Sequence, residues 1–325
     1  MSGTFVISLD LELMWGVRDH STVAEYGDAV LGGRAAIPKM LDRFRAADVR
    51  ATWAIVGLLF ARNRDEMLAY APAKRPSYVA SNLSPYPALE NGEVGTNEKD
   101  DPLYFGLSLI DRIADTPGQE IASHTYGHYY CLEPGQTMAT FKADIAAACA
   151  IATARGHTLR SLAFPRNQNS SEHTHTAAAL GIDVYRGEAS GWLYKPRTSE
   201  QITRPFRLMR FLDGAFPVSK DQVAKVSTNG SSINVPASRF LRPLSRASSI
   251  YNTLHIWRIQ AEIESAARLG GVYHLWWHPH NFGRNMAINL ARLDTILNTY
   301  RFCRDTYGMT SCTMRDLASM HLAKN

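Results

Sequence analysis

The chain has 325 residues, 45% of them hydrophobic and 20% charged, an ordinary globular composition able to bury a large core in one domain or two. Lys and Arg total 35 against 30 Asp and Glu, a formal charge of +5 that favours anionic partners, yet no nucleic-acid-binding motif accompanies it and nucleic acid is not an expected partner. No apolar run approaches the roughly 18 residues of a membrane span, no secretory leader is recognisable, and Cys131, Cys149, Cys303 and Cys312 lack both C-x-x-C spacing and disulfide-scaffold density, so the expected setting is the reducing cytoplasm.

In chain order, Phe5 to Gly16 reads as a strand with two different faces. Phe5, Ile7, Leu9, Leu11 and Leu13 fall on one face, and Ser8, Asp10 and Glu12 on the other. Two carboxylates on one face of an otherwise apolar strand repel each other and lose hydration unless a cation or proton lies between them. A wet edge strand is the alternative reading. Gly32-Gly33 then introduces a helical pattern through Ile37, Met40, Leu41 and Phe44, and Ala51 to Gly57 has the short apolar run of a buried parallel strand. Residues 61–102 carry five prolines and read as an irregular insertion near the site.

The rhythm resumes with a helix over Leu103 to Ala114, a strand over Glu120 to His124, a helix from Met138 to Arg155 stopped by Gly156, and a strand over Ser161 to Phe164. A short helix around Ala177 to Leu180 and a strand over Ile182 to Tyr185 follow, then a second irregular insertion, residues 187–257. Ala261 to Leu269 is helical before Gly270-Gly271, Val272 to His278 is a strand, and Leu290, Leu293, Leu297 and Tyr300 mark an amphipathic helix from Met286. Strands separated by helices predict an α/β fold with a parallel sheet or barrel, whose active residues sit at strand C-terminal ends. Residues 1–325 are expected to form a single catalytic domain.

His124 and His128 lie at the end of one such strand. If the turn between them is helical, both imidazoles face one way and can share an ion. Chance placement on a polar helix face is the alternative. With Glu12 they make the two-histidine, one-carboxylate set of a catalytic zinc site, and Asp10 is near enough to take a proton from bound water. Later, His274, Trp276 and His278 share a strand face; His278, at its end before Pro279, is the site candidate and His274 the core histidine. His280 is open between the two roles, and Trp276 between core residue and sugar platform.

Asp10, His124-Thr-Tyr-Gly-His128, Phe164-Pro-Arg-Asn-Gln168 and His278-Pro-His-Asn281 together resemble the ordered motifs of the polysaccharide deacetylase (NodB-homology) family. The resemblance runs from residue 5 to about Leu317. It implies a distorted (β/α) barrel of about seven parallel strands and metal-dependent removal of an acyl group, N-acetyl first, from an amino sugar. It places the catalytic base on Asp10, metal ligands on His124 and His128, and the acid on His278. Leu11 stands where many members have a second, metal-binding aspartate, so Glu12 follows the D-x-E variant. The family's Arg-x-Pro turn, whose arginine orients the base, becomes Phe-Pro-Arg, leaving Arg166 as its counterpart; Arg166, Trp276 and Asn281 are the expected substrate-binding residues. One divalent ion, zinc first by ligand type, is the expected cofactor. Hydrolysis of another amide, such as a formyl group or cyclic ureide, and a non-catalytic carbohydrate-binding relative are the alternatives.

The substrate is expected to travel on a nucleotide or lipid diphosphate. Between Asp221 and Glu262 there is no acidic residue, whereas Lys225, Arg239, Arg242, Arg246 and Arg258 are basic, a composition suited to a lid that grips phosphate. Interspersed Phe240, Leu241, Ile250, Tyr251 and Trp257 suit peripheral contact with an anionic membrane.

Overall fold

The computed structural model describes residues 2–198, 200–219, 222–244 and 249–323. Arg246, one of the basic residues expected over the barrel mouth, lies outside the described residues, as does Asp221.

Every residue of β1 (Thr4–Leu11) is buried. Phe5, Ile7, Leu9 and Leu11 join the main apolar cluster with Ile37, Phe44, Ile259 and Leu293, while Val6 belongs to a separate cluster with Val184, Ile233, Val235 and Val272. Alternation across the strand puts Ser8 and Asp10 on the side of Val6, inside the curled sheet. The strand stops at Leu11 rather than at Leu13. Glu12 has left it for helical backbone (φ −116°, ψ −30°) ahead of a 3-10 turn, Leu13–Gly16, and Leu13 itself has φ +51°.

A Thr22–Glu25 capping box opens α1 (Val23–Ala47). Gly32 and Gly33, expected ahead of this helix, lie within it. A Cβ on Gly33 would fall 2.6 Å from the His280 Cα and one on Gly32 2.3 Å from the Gly283 carbonyl oxygen, so the pair allows the loop after His278 to pack directly on the helix. Next come β2 (Ala51–Ile55), α2 (Arg64–Tyr70), α3 (Tyr86–Glu90), α4 (Leu107–Ala114), β3 (Gln119–Ser123), α5 (Met138–Thr153), β4 (Ser161–Leu162), α6 (Ser171–Ala179) and β5 (Val184–Tyr185). Residues 187–257 are more regular than their composition suggests, with α7 (Arg204–Asp213), β6 (Ser227–Asn229), β7 (Ser232–Asn234), β8 (Arg239–Phe240) and the start of α8 (Ser249–Leu269). The chain finishes with β9 (Val272–Trp277), α9 (Met286–Tyr307), β10 (Thr310–Ser311) and α10 (Met314–Leu322). Among the described residues no helix is long and apolar enough to cross a membrane.

The sheet runs β6-β7-β5-β4-β3-β2-β1-β9-β8, with β10 also on β1, and every pairing except β6 with β7 is parallel. Its two margins are joined by one stretch of chain. The amides of Ile233, Val235 and Ala237 bond to the carbonyls of Asp183, Tyr185 and Gly187, whereas those of Ser238 and Leu241 bond to the carbonyls of His274 and Trp276. The stretch containing β7 and β8 is therefore a single stave between β5 and β9. With β1 to β5 and β9 it makes seven parallel staves, the distorted barrel that the motifs implied. The C-terminal ends of these staves gather Asp10, His124, Arg186 and His278 at one mouth.

Candidate metal centre and active site

The turn after β3 is not helical. Thr125 and His128 have φ +64° and +55°, so His124 and His128 are brought together by left-handed backbone rather than by one helical turn. Its hydrogen bonds explain how non-glycine residues are kept there. Tyr129 N donates to Thr125 Oγ1 at 2.7 Å, and Asp144 on α5 accepts from the amides of Tyr126 (2.6 Å) and Gly127 (3.1 Å). Burial pushes the Asp144 carboxyl up to about 7 against these two bonds. The two imidazole centroids end 5.1 Å apart.

The partner of each Nδ1 fixes what its ring presents to Glu12. His124 Nδ1 lies 2.8 Å from the carbonyl oxygen of Ala163, which can only accept, so the proton is on Nδ1. The Tyr130 hydroxyl donates to Asp19 Oδ2 at 2.9 Å, which leaves its oxygen to accept from His128 Nδ1 at 3.0 Å. Neutral His124 and His128 thus turn Nε2 lone pairs toward Glu12 Oε1, at 2.9 and 3.1 Å. Two lone pairs facing a buried carboxylate repel it unless a cation or proton lies among them. Burial favours the neutral form of His128. It also opposes charge on Glu12; attraction to His278 and hydrogen bonds from His124 and His128, whose Nε2 protons a cation would replace when both Nε2 lone pairs are free, outweigh it and hold that carboxyl well below the ordinary carboxylate range. All three donors lie within 4.8 Å of one another, and two neutral imidazoles with one carboxylate are the protein ligands of a catalytic zinc site. Gly16 makes room for this carboxylate, since a Cβ there would stand 1.9 Å from Glu12 Oε2.

Asp10, Glu12 and His278 form a second close group, but the oxygens of Asp10 already face a cation. Arg186 donates Nη1 to Oδ1 and Nη2 to Oδ2, both at 2.7 Å, and also reaches Ser8 Oγ at 3.1 Å and Asn167 Oδ1 at 3.0 Å. Asp10 and Arg186 are both buried. Burial opposes ionisation of Asp10, yet Arg186, His124 and His278 together keep its carboxyl below the usual value. His278 Nε2 stands 3.8 Å from Asp10 Oδ2 and 3.5 Å from Glu12 Oε1.

Arg186, not Arg166, is therefore the arginine on Asp10. Arg166 pairs with Asp19, lies 3.6 Å from Glu133 and stacks over the Tyr130 ring at 4.4 Å, on the far side of His128. Arg186 was overlooked although it directly follows β5, at a strand C-terminal end where active residues are expected. Trp276 lines the cavity with one ring face covered by the Arg186 guanidinium at 4.2 Å. Asn281 approaches His278 Nδ1 at 3.5 Å. His274 is the buried core histidine, hydrogen-bonded to Ser8 Oγ at 2.9 Å and pushed down to about 3 by burial. His280 stacks on His278 at 4.9 Å and is also pushed down to about 3 by burial. Two basic residues expected in a phosphate-gripping lid are engaged elsewhere. Arg239 holds Glu262 at 2.5 and 2.7 Å, and Arg258 donates to the same carboxylate and to main-chain carbonyls of Asp213 and Ser219.

A cavity of about 570 Å³ opens over Asp10, Glu12, His128 and His278 and continues to Phe240 and Arg242. The model of the polysaccharide deacetylase family matches residues 27–185, the stretch that supplies both histidines of the Glu12 cluster and Asp144. Residues 27–185 thus carry a polysaccharide deacetylase domain. That family hydrolyses acetyl groups from polysaccharides. Among solved structures, the chain is similar over 99% of its length to 91% of a Mycobacterium smegmatis protein assigned as a polysaccharide deacetylase (14% identity, TM-score 0.60). It is similar to the same extent to the Puue allantoinase (11% identity, TM-score 0.59). A branching enzyme from Pyrococcus horikoshii matches over 97% of this chain and 70% of its own (11% identity, TM-score 0.52). At these identities the shared feature is the fold. No curated protein matches the sequence.

Proposed function

We propose that the protein is a metal-dependent deacetylase that hydrolyses an N-acyl group, N-acetyl first, from an amino sugar. The carrying observation is the convergence of two imidazole lone pairs on buried Glu12 beside the Asp10–Arg186 pair and His278, all around one cavity. Glu12, His124 and His128 would hold one divalent ion, zinc first by ligand type, which supplies an acidified water and a polarised acyl carbonyl. Asp10, kept ionised and aimed by Arg186, accepts the proton of the attacking water. His278 donates a proton to the departing amine, which is too basic to leave as an anion. Arg166, Trp276 and Asn281 belong to the walls that the sugar would meet.

The substrate we infer is a cytoplasmic glycan precursor carried on a nucleotide or lipid diphosphate. Ile250 and Trp257, 70% and 69% exposed on α8, support peripheral membrane contact in the lipid-linked case. We take residues 1–325 as one catalytic unit, with 61–102 and 187–257 as excursions around the mouth. The test is elemental analysis of the purified protein combined with acetate release from a panel of acetamido sugars. One metal per chain, lost in His124→Ala/His128→Ala, and acetate release from at least one sugar are expected. Absence of stoichiometric metal, or metal retained in the double variant, would overturn the site; no acetate from any sugar would overturn the reaction.

A further inference from the structure

Two arginines on the wall of the active-site cavity have no carboxylate within 4.0 Å among the described residues. Four arginines line it: Arg166, Arg210, Arg239 and Arg242. Arg166 is matched by Asp19, and Arg239 by Glu262 and Asp213. Arg210 and Arg242 have no such partner. Arg210 Nε donates to the carbonyl of Leu193 at 2.9 Å and Arg242 Nη2 to the carbonyl of Arg210 at 2.7 Å. No carboxylate among the described residues stands within 4.0 Å of either guanidinium. Burial works against the charge on Arg210; Glu188 and Tyr194 favour it, and Arg197 and Arg242 add a smaller like-charge repulsion. Glu188, also on the wall, has no arginine within 4.0 Å among the described residues and is pushed up to about 8 by burial, against the longer-range pull of Arg210, Arg186 and Arg197.

Their place relative to the chemistry is set by Phe240. Its ring centroid lies 5.6 Å from that of His278 and 6.0 Å from the Arg242 guanidinium carbon. Arg242 thus stands one aromatic ring beyond the proposed acid, on the same cavity. Two guanidiniums on one concave wall, neither in contact with a carboxylate among the described residues, can both turn to one ligand, and their forked donors match the several acceptor oxygens of phosphate. We propose that Arg210 and Arg242 form a phosphate subsite, and that the acylated amino sugar bears a phosphate group seated there while its acyl group lies at the Glu12 cluster. The proposal rests on the deacylation reading and adds the ligand class. It also moves the phosphate grip from Arg239, which is internally paired, to Arg210.

The experiment has a binding arm and a turnover arm. Calorimetry of the metal-loaded protein with glucosamine and with glucosamine 1-phosphate reads the subsite without any acyl transfer. The phosphate should tighten binding by about 10- to 100-fold, the range of one or two charged hydrogen bonds. That advantage should collapse in Arg210→Gln/Arg242→Gln and be partly retained in Arg210→Lys/Arg242→Lys, with circular dichroism checking the fold. In the turnover arm, kcat/KM is compared for an acetamido sugar, its 1-phosphate, its nucleotide diphosphate and its lipid diphosphate. A preference for either diphosphate over the 1-phosphate names the carrier. Equal binding of the two amino sugars by the wild-type protein would overturn the subsite, whatever the variants do. A phosphate advantage in binding with no deacylation of any compound would retain the subsite and sink the deacylation reading instead.

Discussion

The assignment of Arg186 as the partner of Asp10 is the most exposed to test, because family pattern would give that role to Arg166. In Arg186→Gln the bidentate pair, 2.7 Å on each limb, is lost and a carboxylate at 2% exposure keeps burial without its main compensation. Breaking one partner of a buried pair costs about 3–5 kcal/mol. With an unfolding entropy of about 2.1 cal/mol/K per residue, a 325-residue chain has about 0.7 kcal/mol/K, so Tm should fall by about 4–7 °C at pH 7. The pH dependence follows from sign. Arg186 helps hold the Asp10 carboxyl below 3.8, so the pair's contribution is present above that pH and fades as pH falls through the folded value. Removing the arginine raises that carboxyl, and the acid limb of the kcat/KM profile should move to higher pH. Scanning calorimetry and a pH–rate profile read the two effects, and Asp10→Asn/Arg186→Gln should recover part of the Tm because no charge is left orphaned. Unchanged Tm and acid limb in Arg186→Gln, with both shifted in Arg166→Gln, would refute the assignment.

Asp10→Asn and His278→Ala should each retain metal and lose about 10²–10⁴-fold in kcat, as expected for a lost base or acid; near-wild-type turnover in either would unseat that role. Tyr130→Phe removes the acceptor that fixes His128 Nδ1 and should weaken metal binding about 10- to 100-fold in a chelator competition, with unchanged affinity counting against the tautomer argument. Gly16→Ala forces a Cβ into the place of the Glu12 carboxylate and should lower metal content more than it lowers Tm. Asp144, raised to about 7, stabilises the fold fully below 3.8 and has lost that contribution once pH has risen through about 7; Asp144→Asn should flatten the fall in Tm between about pH 4 and pH 7, and an identical slope would show the carboxyl titrates elsewhere.

The α/β order was legible because buried parallel strands leave short apolar runs, while the barrel itself came from the resemblance of the motifs; the alternation in Phe5 to Asp10 correctly separated the helix-facing side from the interior. Alternation failed at Glu12, which reaches the cluster only because the chain leaves the strand there. Spacing selected His124 and His128 but gave the wrong backbone, since Thr125 supplies the bonds that hold a left-handed turn and a hydroxyl has no periodicity to read. Arg186 takes the role expected of Arg166, because a motif fixes order along the chain, whereas the choice of arginine depends on which strand end faces Asp10. Residues 187–257 hid α7 and the first half of α8 behind a composition rich in Ser, Arg and Pro.

The order in which the chain leaves the ribosome gives the seven-stave closure a further meaning. Glu12, His124, His128 and Asp144, which braces their turn, are all present once residue 144 has emerged. Asp10 must wait for Arg186, and β1 for its neighbour β9, whose register sets Thr4 opposite Val272. Pairing across so long a loop is slow, and until it forms the interior edge of β1 stays open to strands of other chains. The nascent protein can thus assemble its proposed ion-binding residues well before Asp10 acquires its arginine. Expression at low temperature or with a holdase chaperone should therefore raise the closed, soluble yield more than extra metal in the medium does.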